Sequence, residues 1–137
     1  MLYFWLIFTI FTDTPVIDHI DGPEVRASEF AVNLPIKCVV TSKPAAEIIW
    51  SRDGSVITLP SDEYEVANQN TSDPAIPSTT TQSKLIIKKV GKTHFGRYSC
   101  KAKNKHGEVE KSTQVVVTCK LILSFWSHLA VDRFIYL

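Results

Sequence analysis

The chain has 137 residues, with 15 Lys+Arg against 14 Asp+Glu, 45% hydrophobic and 21% charged. That length is about one domain's worth, which excludes a two-lobed enzyme with a cleft between lobes. A net charge of +1 gives nucleic acid no global attraction, five Gly and seven Pro are near average, and three Cys allow one bridge with one thiol left over.

Residues 1–14 form an apolar leader. Met1–Phe11 reads MLYFWLIFTIF, the length of a signal-peptide h-region, with no Lys or Arg before Arg26 and no small-x-small cleavage site near Thr12–Pro15. A secretory signal and a truncated reading-frame start both fit it. It is too short for a spanning helix, which needs about 20 apolar residues.

Strand signals fill the middle. Val32, Leu34, Ile36, Cys38 and Val40 occupy every second position, the period of a strand with one buried face. Pro35 interrupts the ladder there, so this strand is expected to be bulged or paired on one side at that point. Ala46–Arg52 predicts a second strand, closed by the turn signal Asp53-Gly54, with a short return strand over Ser55–Leu59. Asn70–Ser83 (NTSDPAIPSTTTQS) has no apolar periodicity and reads as a long solvated loop containing the N-glycosylation sequon Asn70-Thr71-Ser72. Further strands are marked by Leu85 and Ile87, then by Tyr98, Cys100 and Ala102. After a turn over Asn104–Gly107 a last strand follows, with Val115 and Val117 inward. Short strands between turns, with no 3.6-residue period, give an all-β sandwich or barrel. The tail, 119–137, is apolar around Leu121–Trp126 but is broken by His128, Asp132 and Arg133, and it falls short of a bilayer span.

Charge is segregated along the chain. Residues 13–65 hold ten acids and four bases, whereas 84–111 hold nine bases and two acids. Lysine-rich exposed strand faces serve solubility. The same asymmetry could also give a two-sided surface field, and with it a binder of acidic glycans.

Cys38 and Cys100 are 62 residues apart, Trp50 follows Cys38 by 12, and Tyr98 precedes Cys100 by two. On facing sheets the two Cys could be bridged beneath the Trp50 ring, or stand as reduced core thiols. The apolar leader and the sequon favour the bridge, through an oxidising compartment. In the chain-entropy model, closing such a loop is worth roughly 4 kcal/mol. Cys119 follows the last strand and has no assigned partner.

With Leu85–Val90, Gly96-Arg97-Tyr98-Ser99-Cys100 and Ala102–Gly107, these residues carry a resemblance. Residues 15–118 resemble an intermediate-set (I-set) domain of the immunoglobulin superfamily. Glu47–Gly54 and the Ala-Lys-Asn-Lys-His-Gly turn are most similar to neural cell adhesion molecules and fasciclin-type adhesion proteins. The resemblance implies a two-sheet antiparallel Greek-key sandwich, a Cys38–Cys100 disulfide with Trp50 packed on it, and a Tyr98 hydroxyl turned back to its corner. It also implies a parent protein with several such domains. Two positions depart from the family: His94 stands where an Asp usually precedes the corner Tyr, and Ser28-Glu29-Phe30 replaces a turn that usually carries Gly.

No catalytic or cofactor pattern accompanies this. His19, His94, His106 and His128 lack ligand spacing, there is no phosphate loop, nucleophile elbow or HExxH helix, and Asp18, Asp21 and Gly22 recapitulate too little of a calcium loop. The expected chain is therefore not an enzyme and takes no cofactor and no metal. Its expected function is a surface: an extracellular or cell-surface recognition module binding other immunoglobulin-type domains, homophilically or heterophilically. Nucleic acid is not a partner, and membrane association would come only through the segments outside the domain. Alternation turns Ile49, Ser51, Ser99, Lys101, Lys103, Ser112, Gln114 and Val116 outward on one sheet as the partner face, with Ile49 and Val116 as small apolar anchors. Asn70 is the expected glycan site. A structural I-set repeat of an intracellular muscle-type filament protein is the alternative. It would need neither bridge nor glycan.

Overall fold

The period-two run starting at Val32 becomes one long strand, and the other alternating segments build the two sheets around it. The computed structural model describes residues 14–118, so the expectations for the leader, Cys119 and the tail fall outside the described residues. In chain order the strands are β1 (Val16–Ile20), β2 (Glu24–Ser28), β3 (Val32–Ser42), β4 (Glu47–Arg52), β5 (Ser55–Val56), β6 (Tyr64–Ser72), β7 (Thr79–Lys89), β8 (Gly96–Asn104) and β9 (Gly107–Thr118). One sheet runs β1-β3-β7-β6 and the other β2-β9-β8-β4-β5. The fold is the all-β two-sheet sandwich. Every pairing is antiparallel except β2 with β9, which run parallel.

Local chemistry explains the connections. The chain leaves the first sheet at Asp21-Gly22-Pro23, where the Asp21 carboxylate and backbone N–H clasp the backbone of Lys37 at 2.8 and 3.0 Å. Asp53 and Gly54 both take positive φ, 48° and 84°, the two-residue hairpin turn whose twist matches the flanking strands. The return strand is shorter than expected, ending at Val56. Ile57 N–H still reaches Trp50 O at 2.9 Å, but Leu59-Pro60 then turns away, since proline cannot donate to a ladder. Pro35 is accommodated because β1 covers β3 only from Cys38 to Thr41, leaving one side of the strand unpaired at the proline.

The predicted loop over Asn70–Ser83 is incorrect. Asn70, Thr71 and Ser72 end β6 and pair with Thr81, Thr80 and Thr79 of β7, so the loop shrinks to residues 73–78. β-branched threonines suit a ladder. Alternation in polarity fades because β6 is exposed from Ala67 onward, an edge with nothing apolar to bury.

The core lies between the sheets. Ile36, Cys38 and Val40 from β3 and Leu85 and Ile87 from β7 face Trp50, Tyr98, Cys100, Ala102 and Val115 from the other sheet. Each fully buried Ile, Leu or Val contributes about 1.5–3 kcal/mol. Val32, counted on the inward face by its period, is instead 68% exposed, because it begins β3 at the sheet's end opposite Lys89.

Candidate functional site

The sandwich is pinned at its centre. Cys38 and Cys100 form a disulfide, with Cα atoms 6.5 Å apart and 62 residues between them in sequence. Trp50 pairs with Cys100 across β4 and β8, is 3% exposed, and donates its indole N–H to Ser83 Oγ at 2.9 Å. Ser83 looked like a surface residue because a buried hydroxyl and an exposed one share a sequence signature. It is kept inside as the acceptor that a buried indole needs.

The corner beside β8 is a polar network. Tyr98 O–H donates to His94 O at 3.0 Å and lies 3.3 Å from Tyr64 Oη, which accepts from Arg52 Nη1 at 3.1 Å. Burial first, and then the Tyr64 hydrogen bond, push the Tyr98 phenol well above its ordinary value. His94 is buried at 5% exposure within the 3-10 turn Lys92–His94, and its Nδ1 accepts the Gly91 N–H at 2.9 Å. The imidazole thereby does what a carboxylate would do there. Its proton then belongs on Nε2, 3.7 Å from Glu63 Oε2. The unusual turn also has its account: Phe30 adopts φ 69°, the left-handed conformation that a glycine takes at no steric cost.

The outward face of the five-stranded sheet carries the candidate partner residues. The register sets them in rows: Glu47, Lys103 and Glu108; then Ile49, Lys101 and Glu110; then Val56, Ser51, Ser99 and Ser112; then Arg97, Gln114 and Glu24. Val116 follows beside Arg26. Lys101 Nζ also reaches Glu108 Oε1 diagonally at 3.3 Å. Ser99, expected to point outward, is only 7% exposed. It is a short side chain on a central strand, flanked by Ser51 and Ser112 and by the longer Arg97 and Lys101 along its own strand. The anchors also shift. Ile49 and Val116 are half-buried, while Val56, which sequence reasoning passed over, is 62% exposed beside Ser51. Glu108 and Glu110 were missed too, although their alternation along β9 was a usable signal.

The basic segment does not form one patch. Lys84 opposes Lys37 on the other sheet, and Lys88 Nζ donates to Ser61 O at 2.9 Å. Lys101 and Lys103 meanwhile stand opposite Glu110 and Glu108, and Lys111 Nζ is turned to Ile17 O at 2.9 Å. Asn70 lies exposed on the edge strand β6, in the sheet away from the candidate face. Among the described residues, no group of three or more His, Cys, Asp or Glu could hold a metal ion, and no helix is long and apolar enough to cross a membrane.

A family model described as "Immunoglobulin domain" matches residues 15–104. The chain is 30% identical over 111 residues to Zwei Ig domain protein zig-3 of Caenorhabditis elegans, covering 80% of this chain and 44% of that protein. It is 39% identical over 75 residues to Protein amalgam of Drosophila melanogaster, covering 55% of this chain and 21% of that one. Human ADAMTS-like protein 1 is 29% identical over 106 residues, 77% of this chain but 5% of that protein. The chain thus spans less than half the length of these curated relatives. Among solved structures, the N-terminal eight Ig domains of Down Syndrome Cell Adhesion Molecule match with TM-score 0.65 and 29% identity over 80% of this chain and 15% of that one. A complex of Dpr2 Ig1-Ig2 with DIP-Theta Ig1-Ig3 matches with TM-score 0.63 and 20% identity over 78% of this chain and 33% of that one, a likeness of fold alone.

Proposed function

Because the chain belongs to the immunoglobulin domain family, we propose that it is a non-enzymatic recognition module of the cell surface or extracellular space. Its partners are other immunoglobulin-type domains. The observation that carries this reading is the outward face of the five-stranded sheet. There a row of three serines, Ser51, Ser99 and Ser112, lies between two rows that carry charge and ends at the exposed Val56. Small side chains at the centre let an opposing surface approach closely, and the flanking charges supply selectivity. The disulfide supports an oxidising compartment over the filament-repeat alternative. The division of the lysines between two sheets counts against an acidic-glycan stripe. Ile49, Ser51, Lys101, Lys103, Gln114 and Val116 are the proposed contact residues, and Asn70 the proposed glycan site.

The test is capture of immunoglobulin-type ectodomains from a defined panel by the immobilised chain. Ser51→Arg and Ser112→Arg should abolish capture, whereas Ala67→Arg, on the other sheet, should leave it intact. Equal loss from all three variants would place the contact elsewhere, as would no loss from any.

A further inference from the structure

Two neighbouring columns on the candidate face carry charges of opposite sign. The outward residues of β8 are Arg97, Ser99, Lys101 and Lys103, a column with no acid. Those of β9 are Glu108, Glu110, Ser112, Gln114 and Val116, a column with no base. The hairpin register places Lys103 level with Glu108, Lys101 with Glu110, Ser99 with Ser112 and Arg97 with Gln114. We propose that this face binds a second copy of the chain, about a two-fold axis running along the strands between β8 and β9. The proposal rests on the recognition reading above and names its partner.

The axis follows from the charges. A two-fold lying along the strands lays β8 of one copy over β9 of the other at the same height. Lys101 then meets Glu110 of the second copy and Lys103 meets its Glu108, while the row of Ser99 and Ser112 lies over its counterpart. Each contact occurs twice, as an isologous interface requires. A two-fold lying across the strands instead lays each column on itself, so that bases meet only bases or neutral residues, acids meet only acids or neutral residues, and no Lys meets a Glu of the second copy. Like charges held together across an interface are strongly unfavourable. The serine row sits midway, where two facing sheets approach to about 10 Å. The arrangement fixes direction as well as partner. Strands of both copies point the same way, so both chains leave β9 at the same end of the dimer. That geometry suits two molecules standing side by side on one support, not reaching across from opposed ones.

Sedimentation of the full chain, at concentrations up to about 1 mM, the range of weak association, tests this with two charge variants. Lys101→Glu with Lys103→Glu, and Glu108→Lys with Glu110→Lys, should each be monomeric, since each sets like charges face to face across the axis. An equimolar mixture of the two should dimerise again, because acids on β8 of one then meet bases on β9 of the other. No effect confined to a single chain gives that rescue. Wild-type association should also weaken as salt is raised. If either variant fails to keep the wild-type melting profile, Lys101→Gln and Glu110→Gln carry the test instead, and each should weaken the dimer about tenfold or more. A monomeric wild type overturns the proposal, as does a dimer indifferent to these changes or a mixture of folded variants that stays monomeric. A wild type that remains monomeric yet captures another immunoglobulin-type domain through this face refutes self-pairing and leaves the recognition reading standing.

Discussion

Trp50→Ala removes the largest ring between the sheets and the donor to Ser83. Deleting a buried aromatic of this size costs about 3–5 kcal/mol, because the surrounding side chains relax only partly into the space. The lost 2.9 Å hydrogen bond adds about 1 kcal/mol. Together these approach the whole stability of a small domain, about 5–15 kcal/mol. The two parts can be separated. Ser83→Ala keeps the ring but strands a buried indole N–H, for about 1–3 kcal/mol, and Trp50→Phe keeps most of the packing but removes the donor. Once the indole is gone, Ser83→Ala should cost far less, a coupling of about 0.5–3 kcal/mol in the double-mutant cycle. Urea titration followed by far-ultraviolet circular dichroism measures the wild type and these four variants without relying on the tryptophan itself. A loss below 1 kcal/mol for Trp50→Ala would mean that the ring does not fill the space between the sheets. Strict additivity of Trp50→Phe and Ser83→Ala would mean that the indole does not bond to Ser83.

Four further outcomes are expected. The folded state holds the Tyr98 phenol protonated, whereas in the unfolded chain it ionises near its ordinary value of about 10. The unfolded state therefore binds fewer protons above that pH, so stability present below it falls as pH rises, and Tyr98→Phe should flatten this alkaline slope in denaturation curves. Phe30→Gly relieves left-handed strain that exceeds the added freedom of the unfolded chain, and should raise stability by up to about 1 kcal/mol, less what the Lys89 ammonium 5.9 Å over the ring contributes; a loss in thermal melts would mean that this contact outweighs the strain. Secreted from a eukaryotic host, the chain should shift in mobility on glycosidase treatment, and Asn70→Gln should abolish the shift. Cys119→Ser, a residue outside the described ones, should change stability by less than about 0.5 kcal/mol and remove any covalent dimer on a non-reducing gel; a large loss would make Cys119 a bridge partner.

The sequence carried the fold where one face is buried and the other wet. β3, β4, β8 and β9 alternate, and the Asp53-Gly54 turn has chemistry that only one hairpin geometry uses. It was silent where burial is one-sided or absent. β6 loses its apolar period after Val66 because it is an edge strand running exposed, so its polar end read as a loop. β1 and β2 are five residues each and belong to different sheets, so neither is long enough to establish a period. Thr81, Ser83 and Thr113 occupy buried positions with side chains typical of surfaces. At the candidate face, alternation says which residues point outward but not which stand side by side. That comes from the tight turn at Lys105-His106, which sets Asn104 opposite Gly107 and so brings Lys101 level with Glu110.

The parallel pairing of β2 with β9 bears on how the domain responds to pulling. β2 lies toward the entry of the chain and β9 at its exit, and both run in the same direction. Tension applied through the two ends drags β2 backward and β9 forward along their common axis. All five registered pairs from Glu24–Gln114 to Ser28–Thr118 are then loaded at once, in shear, not opened one after another like a zip. Behind that ladder, the Cys38–Cys100 bond closes a loop that no extension of the ends can pay out. Traction along the strands therefore meets the whole ladder together, and whatever it extends stops at the residues the disulfide encloses.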